Sequence, residues 1–237
     1  MTLSAPIYHL KREAKRLSRD LGVPLHEALD RIAVREGCAS WSLLAARHAA
    51  ARPDGALLAR LKPGDLVLLG ARPGQGKTLK SLELAVDAMR SGHQAFFFTL
   101  EYTVRDVIDR FPAIGADYAR FATLFEIDCS DTISADHIVG KLASAARGTL
   151  VVVDYLQLLD QRRENPALGD QIRTLRSFAR ERGLIFVFIS QIDRAYEATE
   201  KPFPDIHDIR LPNPVDLRLF DKTCFLNKGE LQFRAMN

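Results

Sequence analysis

The feature that most constrains the fold is the nine-residue stretch Gly70-Ala-Arg-Pro-Gly-Gln-Gly-Lys-Thr78. Before it stands an apolar run, Leu66-Val-Leu-Leu69; after it, Leu79-Lys-Ser-Leu-Glu-Leu-Ala-Val86 carries helical spacing. The order is strand, loop, helix, and the loop fits G-x-x-x-x-G-K-[ST] with Ala71 at the first glycine position. Gly74 and Gly76 let the backbone curl so that successive N–H groups point inward at phosphate oxygens, and the helix adds the positive end of its dipole. Lys77 supplies a point charge for the β- and γ-phosphates, and Thr78 offers a hydroxyl to Mg²⁺. Arg72, Pro73, Gly74, Gln75, Gly76, Lys77, Thr78 and Leu79 are therefore the expected nucleotide contacts, with ATP and Mg²⁺ as cofactors. A tight turn with a surface lysine is the plainer alternative.

A loop of this kind works at the edge of a parallel sheet. From Gly64 onward, short apolar runs alternate with helical stretches. Strands are expected at 65–69, 95–100, 124–128, 150–154, 185–190 and 223–226, and helices at 77–90, 104–111, 135–146 and 167–182. Runs this continuously apolar are usually covered on both faces, so the expected class is α/β with a mostly parallel sheet. The chain has 237 residues, 47% apolar and 27% charged, which excludes a disordered or collagen-like chain. With 33 Lys+Arg against 30 Asp+Glu, the formal charge of +3 is too small to announce a nucleic-acid protein by bulk charge. Cys38, Cys129 and Cys224 are odd in number and far apart, which argues against a disulfide framework and for a reducing cytoplasm. No apolar run approaches the ~18–20 residues of a membrane span, and the first residues lack the basic-then-apolar order of a signal peptide.

Residues 1–50 read differently, as a small all-helical domain. Ile7, Leu10, Ala14, Leu17 and Leu21 recur at three- and four-residue steps, with Ser4 as the expected cap and Gly22 as the stop. Further helices fit 24–36 and 41–50, the last capped by Ser40. Lys11, Arg12, Lys15, Arg16 and Arg19 make the first helix basic. A solvated face accounts for them, and so does docking on phosphates or on a partner. Residues 51–63, punctuated by Pro53, Gly55 and Pro63, read as a linker to a domain over 64–237.

Three expected strands end in polar residues. Asp154 closes Leu150-Val-Val-Val and is placed to hold Mg²⁺ through a water; the alternative is a turn or cap residue. Glu101 follows Phe96-Phe-Phe-Thr-Leu and is placed to polarise an attacking water, or is an exposed loop acid. Gln191 follows Ile185-Phe-Val-Phe-Ile-Ser and could sense the γ-phosphate, or simply be solvated.

Together these segments resemble the RecA-like C-terminal ATPase domain of the DnaB-type replicative helicases. Phe98-Thr-Leu-Glu-Tyr102 is similar to that family's Ser-Leu-Glu-Met, Val152-Val-Asp-Tyr-Leu-Gln-Leu158 to its Ile-Asp-Tyr-Leu-Gln-Leu, and Ser190-Gln-Ile-Asp-Arg194 to its Ser-Gln-Leu-Asn-Arg. The resemblance runs in order over about residues 58–234. It implies a RecA-like P-loop ATPase core with Glu101 as water activator, Lys77 and Gln191 at the γ-phosphate, Asp154 on Mg²⁺ and Arg110 near the nucleotide. It also implies single-stranded DNA and a homo-oligomeric ring as partners.

The sequence departs from that pattern in two places. The family's last hairpin offers a Lys and an Arg to a neighbouring subunit; here the turn Asn227-Lys-Gly229 leaves only Lys228, with Lys222 and Arg210 as weaker substitutes. DNA contacts would fall on Arg162 and Arg163 and on Asp193–Arg218. The latter has four basic and six acidic residues, and its net −2 repels a phosphate backbone. Two readings follow: an ATPase coupled to DNA binding or unwinding, and a slow ATPase acting as a nucleotide-controlled protein-binding switch.

Overall fold

The computed structural model describes residues 4–5, 7–50, 55–160, 164–210 and 215–236. The chain divides into two compact units, Met1–Ala56 and Leu57–Asn237. The first is built from α1 (Ile7–Leu21), α2 (Leu25–Arg35) and α3 (Trp41–Ala50). Leu10 and Ala14 of α1 meet Ala28 and Ile32 of α2 in a buried core, with Leu17, Leu29 and Trp41 packed against it. Gly22 and Gly37 stop α1 and α2 in the left-handed conformation, at φ +63° and +78°. Ser40 caps α3 by accepting the Leu43 N–H at 3.2 Å. Ser4 does not play the expected capping part: its N–H and hydroxyl both bond Glu36 just past α2, so it ties the start of the unit to the end of its second helix.

A short helix, α4 (Gly55–Ala59), spans the boundary in sequence, and the second unit continues β1 (Leu66–Ala71), α5 (Lys77–Arg90), β2 (Ala95–Thr99), α6 (Val104–Ile108), β3 (Phe125–Asp128), α7 (Ala135–Lys141), β4 (Leu150–Asp154), α8 (Leu168–Arg182), β5 (Ile185–Gln191), β6 (Lys222–Asn227) and β7 (Glu230–Ala235). Leu57 and Leu61 are buried in the same cluster as Leu69 and Leu226, so the second half of the stretch read as a linker is part of this core. Two helices stop short of expectation. α6 gives way to a 3₁₀ turn over Phe111–Ile114 that carries Pro112, and α7 ends beside Gly140, a weak helix former.

The sheet order is β3-β2-β4-β5-β1-β6-β7, with every pair parallel except the β6–β7 hairpin. β1, β2 and β4 are buried at every position, which is why their sequences run apolar without alternation. Side chains still alternate between the two faces. On β4 and β5, Val151, Val153, Phe186 and Phe188 join the cluster that contains α8, while Val152, Val187 and Ile189 join the one that contains α5. By the same alternation Asp154 and Gln191 lie on the α5 side.

Candidate nucleotide site

The register aligns the strand ends along one edge. Ala71 pairs with Gln191 on one side and Leu226 on the other, and Thr99 pairs with Asp154. The glycine-rich loop expected to bind phosphate leaves β1 at this edge. Gly74 and Gly76 sit at φ +76° and +86°, a conformation in which a side chain is strained, and Gly76 is the residue before α5. Gly70 is required for a different reason. A Cβ there would meet the Phe225 ring at 2.8 Å and Ile192 at 3.2 Å.

Lys77 opens α5. Burial pulls its ammonium below the usual lysine range, while the charges of Asp154 and Glu101 oppose that pull. The Thr78 hydroxyl donates to Asp154 Oδ2 at 3.0 Å. Asp154 is 1% exposed. Burial and then the Glu101 charge push its carboxyl up to about 7, against the Thr78 hydrogen bond and the charges of Lys77 and Arg110. A buried carboxylate beside a hydroxyl is an all-oxygen pair, which fits a Mg²⁺ ion bound through one carboxylate plus substrate phosphates. Among the described residues there is no group of three or more His, Cys, Asp or Glu that could hold a metal alone.

Glu101 lies two residues past the end of β2 and is exposed, with its N–H donating to the buried Thr99 hydroxyl at 3.1 Å. Arg110 stacks 3.9 Å above the Tyr102 ring and donates to the Asp106 carbonyl. Gln191 ends β5 half-buried beside the loop. Asp128, at the end of β3, is occupied: Oδ1 accepts the Ser130 N–H at 2.8 Å and Oδ2 lies 2.8 Å from His137 Nε2. Burial pushes its carboxyl up, but the bonds from His137 and Ser130 outweigh it and hold it below the usual range.

The remaining loop residues are tied to later parts of the chain. Arg72 pairs with Glu197 at 2.7 Å and donates to the Ile192 carbonyl at 2.9 Å. Gln75 Oε1 accepts the Lys228 N–H at 3.0 Å, so the hairpin tip of this chain rests on its own phosphate loop. Asn227 anchors that tip through Tyr196 Oη and the Pro202 carbonyl. Pro73 is exposed and Leu79 half-buried. Lys222 pairs with Val67 near the opposite edge of the sheet, which removes it as a substitute for the hairpin lysine. Arg210 lines a cavity of about 380 Å³ with Arg72, Asp193 and Arg194.

Glu197 and Tyr196 are not singled out by the sequence, and Asn227 only as a turn residue, because pairings across 25 to 125 positions leave no local signal. The acids after β5 also have a structural use that charge counting misses. Asp193, Asp205 and Asp216 each accept the backbone N–H two residues on and start a 3₁₀ turn. Arg162 and Arg163 lie outside the described residues.

A mostly parallel sheet with a glycine-rich loop between β1 and α5 makes this unit an α/β domain of the RecA-like kind. Residues 113–216 match the family model of the DnaB-like helicase C terminal domain. The probable plasmid replicative DNA helicase of Chlamydia trachomatis is 25% identical over 74% of this chain and 45% of its own length. The replicative DNA helicase DnaB of Mycoplasma pneumoniae is 24% identical over 63% of this chain and 40% of its own. The chain thus spans less than half the length of these curated relatives. The fold is shared with a solved structure described as an ATPase domain, at a TM-score of 0.57 and 22% identity over 76% of this chain and 79% of that one. It is also shared with a DnaB-like replicative helicase whose structure describes its interactions with primase, at 0.59 and 19% over 92% of this chain and 66% of that one. The resemblance to DnaB-type ATPase domains read from the motifs therefore extends to the family model, the relatives and the fold.

Proposed function

We propose that this cleft binds ATP with Mg²⁺ and hydrolyses it. The observation that carries the reading is the Thr78–Asp154 hydrogen bond, with Lys77 electrostatically coupled to the same carboxylate. A phosphate-loop lysine and hydroxyl beside a buried acid at the next strand but one form the parts list of a nucleotide-hydrolysing site. The loop N–H groups and Lys77 bind the phosphates, and Thr78 and Asp154 would hold Mg²⁺, which would supply charge neutralisation when bound. Glu101, free of any side-chain ion pair among the described residues, accepts the proton of the attacking water. Asp128 is not available for that step, since both of its oxygens are engaged. Gln191 faces the γ-phosphate from β5, and Arg110 adds positive charge on the Glu101 side.

Hydrolysis serves DNA binding or translocation in this reading, as befits a relative of replicative helicases. A second reading has one observation of its own. Lys228, exposed, is the only cation of the hairpin turn, where the family's hairpin offers a neighbour a Lys and an Arg, and its backbone N–H donates to Gln75 of its own chain. That favours a slow ATPase whose nucleotide state is read by a protein partner. Phosphate release by the full chain, with and without single-stranded DNA and alongside mass by light scattering, separates the two. Turnover stimulated by DNA in an oligomer is expected from the first; a slow, DNA-indifferent rate selects the second. No Mg²⁺-dependent turnover at all contradicts both.

A further inference from the structure

We infer that α1 carries a contact surface for the phosphate backbone of single-stranded DNA, separate from the nucleotide cleft. It rests on the reading that the chain acts on DNA, and it locates that contact. The first unit, residues 1–56, holds nine Lys+Arg and six Asp+Glu, a net of +3. The rest of the chain holds 24 of each sign. The whole formal charge of the protein therefore belongs to its helical unit, and the ATPase body is neutral.

That charge is arranged, not scattered. Arg12, Lys15, Arg16 and Arg19 are all exposed or half-buried and fall at i, i+3, i+4 and i+7 of α1. At 3.6 residues per turn they share an arc of about 100° and run for about 10.5 Å along the axis. Leu10 and Ala14, fully buried, occupy the opposite side. Among the described residues none of the four is in an ion pair. Glu13, the acid that interrupts them, is taken at both oxygens by Arg35 at 2.6 and 2.8 Å. Asp20 is exposed at the far end and bonded to none of them. Lys11 has a partner of its own and is not part of the ridge. Arg16 also acts on Glu13 through its charge, but none of the four is bonded to an acid among the described residues, and such cations on an exposed face attract a polyanion by releasing its condensed counterions.

The ridge favours a single strand over other polyanions. A helix in a major groove about 12 Å wide meets a backbone on each flank, whereas these cations occupy one arc only. The ridge is cationic throughout, and such side chains supply the phosphate contacts that hold a strand irrespective of its sequence. A membrane-surface helix inserts its apolar side, and the apolar side of α1 is already spent in the core of its own unit.

The test is fluorescence anisotropy of the full chain on a labelled single-stranded oligonucleotide, without nucleotide, over a salt series. Changing Arg12, Lys15, Arg16 and Arg19 to Gln should flatten the slope of log K against log[salt] by about 2.8, at ~0.7 per contact. Gln is a good helix former, and circular dichroism checks that α1 persists. Changing Arg12, Arg16 and Arg19 to Lys keeps the charge and should keep the slope. Lys77→Ala should keep it too, so a failed nucleotide reading leaves this one standing. An unchanged slope in the folded Gln variant overturns the inference, and so does a slope that falls equally in Lys77→Ala. Binding of the parent to anionic phosphatidylserine vesicles without binding to DNA overturns it in favour of a membrane surface.

Discussion

At the scale of single residues, the cleft works by placing charges where burial makes them expensive. Asp154 is held at 1% exposure with its carboxyl pushed up to about 7, and Lys77 is pulled below the usual range beside it. Neither shift is relieved by a full partner within the chain: Asp154 has one hydroxyl and a neighbouring ammonium. In the function proposed above, a Mg²⁺ ion and a triphosphate would together satisfy both. Glu101 differs, being exposed and bonded only through its backbone. Glu101→Gln keeps the shape and loses the proton acceptor, so ATP affinity should hold while turnover falls by ~10²–10⁴-fold, the usual range for general-base assistance. Single-turnover phosphate release beside a binding titration checks this. A parent-like rate in the variant moves the role off Glu101.

At the scale of elements, the strands were legible to within two residues, and the ends of two helices were not. Apolar runs flanked by turn residues announced β1 through β6, because strands covered on both faces have no polar position to interrupt them. The turn of the loop was legible at Gly74 and Gly76, which answer to φ, whereas Gly70 answers to the Phe225 ring, a contact no local pattern shows. Helix ends such as those of α6 and α7 depended on Pro112 and Gly140 within otherwise helical patterns. The contacts that dock Arg72 and Gln75 onto Glu197 and Lys228 join residues more than a hundred positions apart, beyond any periodicity.

Gln171 shows how such a long-range tie holds elements in place. It is 1% exposed on α8, accepts the Ala135 N–H that opens α7 at 3.0 Å, and donates to the Leu159 and Pro166 carbonyls at 2.5 and 2.9 Å. Gln171→Ala strands the buried Ala135 N–H, while the Leu159 carbonyl keeps the Asn165 amide at 3.3 Å and Pro166 is exposed; a buried unsatisfied group costs about 1–3 kcal/mol. Urea unfolding should show the stability falling by that amount with the m-value unchanged. A midpoint within error of the parent means that the Ala135 N–H finds another partner.

At the scale of the whole molecule, two compact units divide the physical work. The α/β unit is electrically neutral and gathers the strand-end residues at one edge of its sheet; the helical unit carries the charge. Everything proposed for the α/β unit depends on the loop at 70–78 holding a nucleotide. Lys77 sits at the start of α5, and its charge is directed at the cleft, not at the apolar core, so Lys77→Ala should fold normally. The direct measurement is a calorimetric titration of Mg·ATP into the parent and into Lys77→Ala, with circular dichroism confirming the fold of both. Saturable binding by the parent and none by the variant is the predicted result. Equal affinity in two folded proteins contradicts the nucleotide site itself.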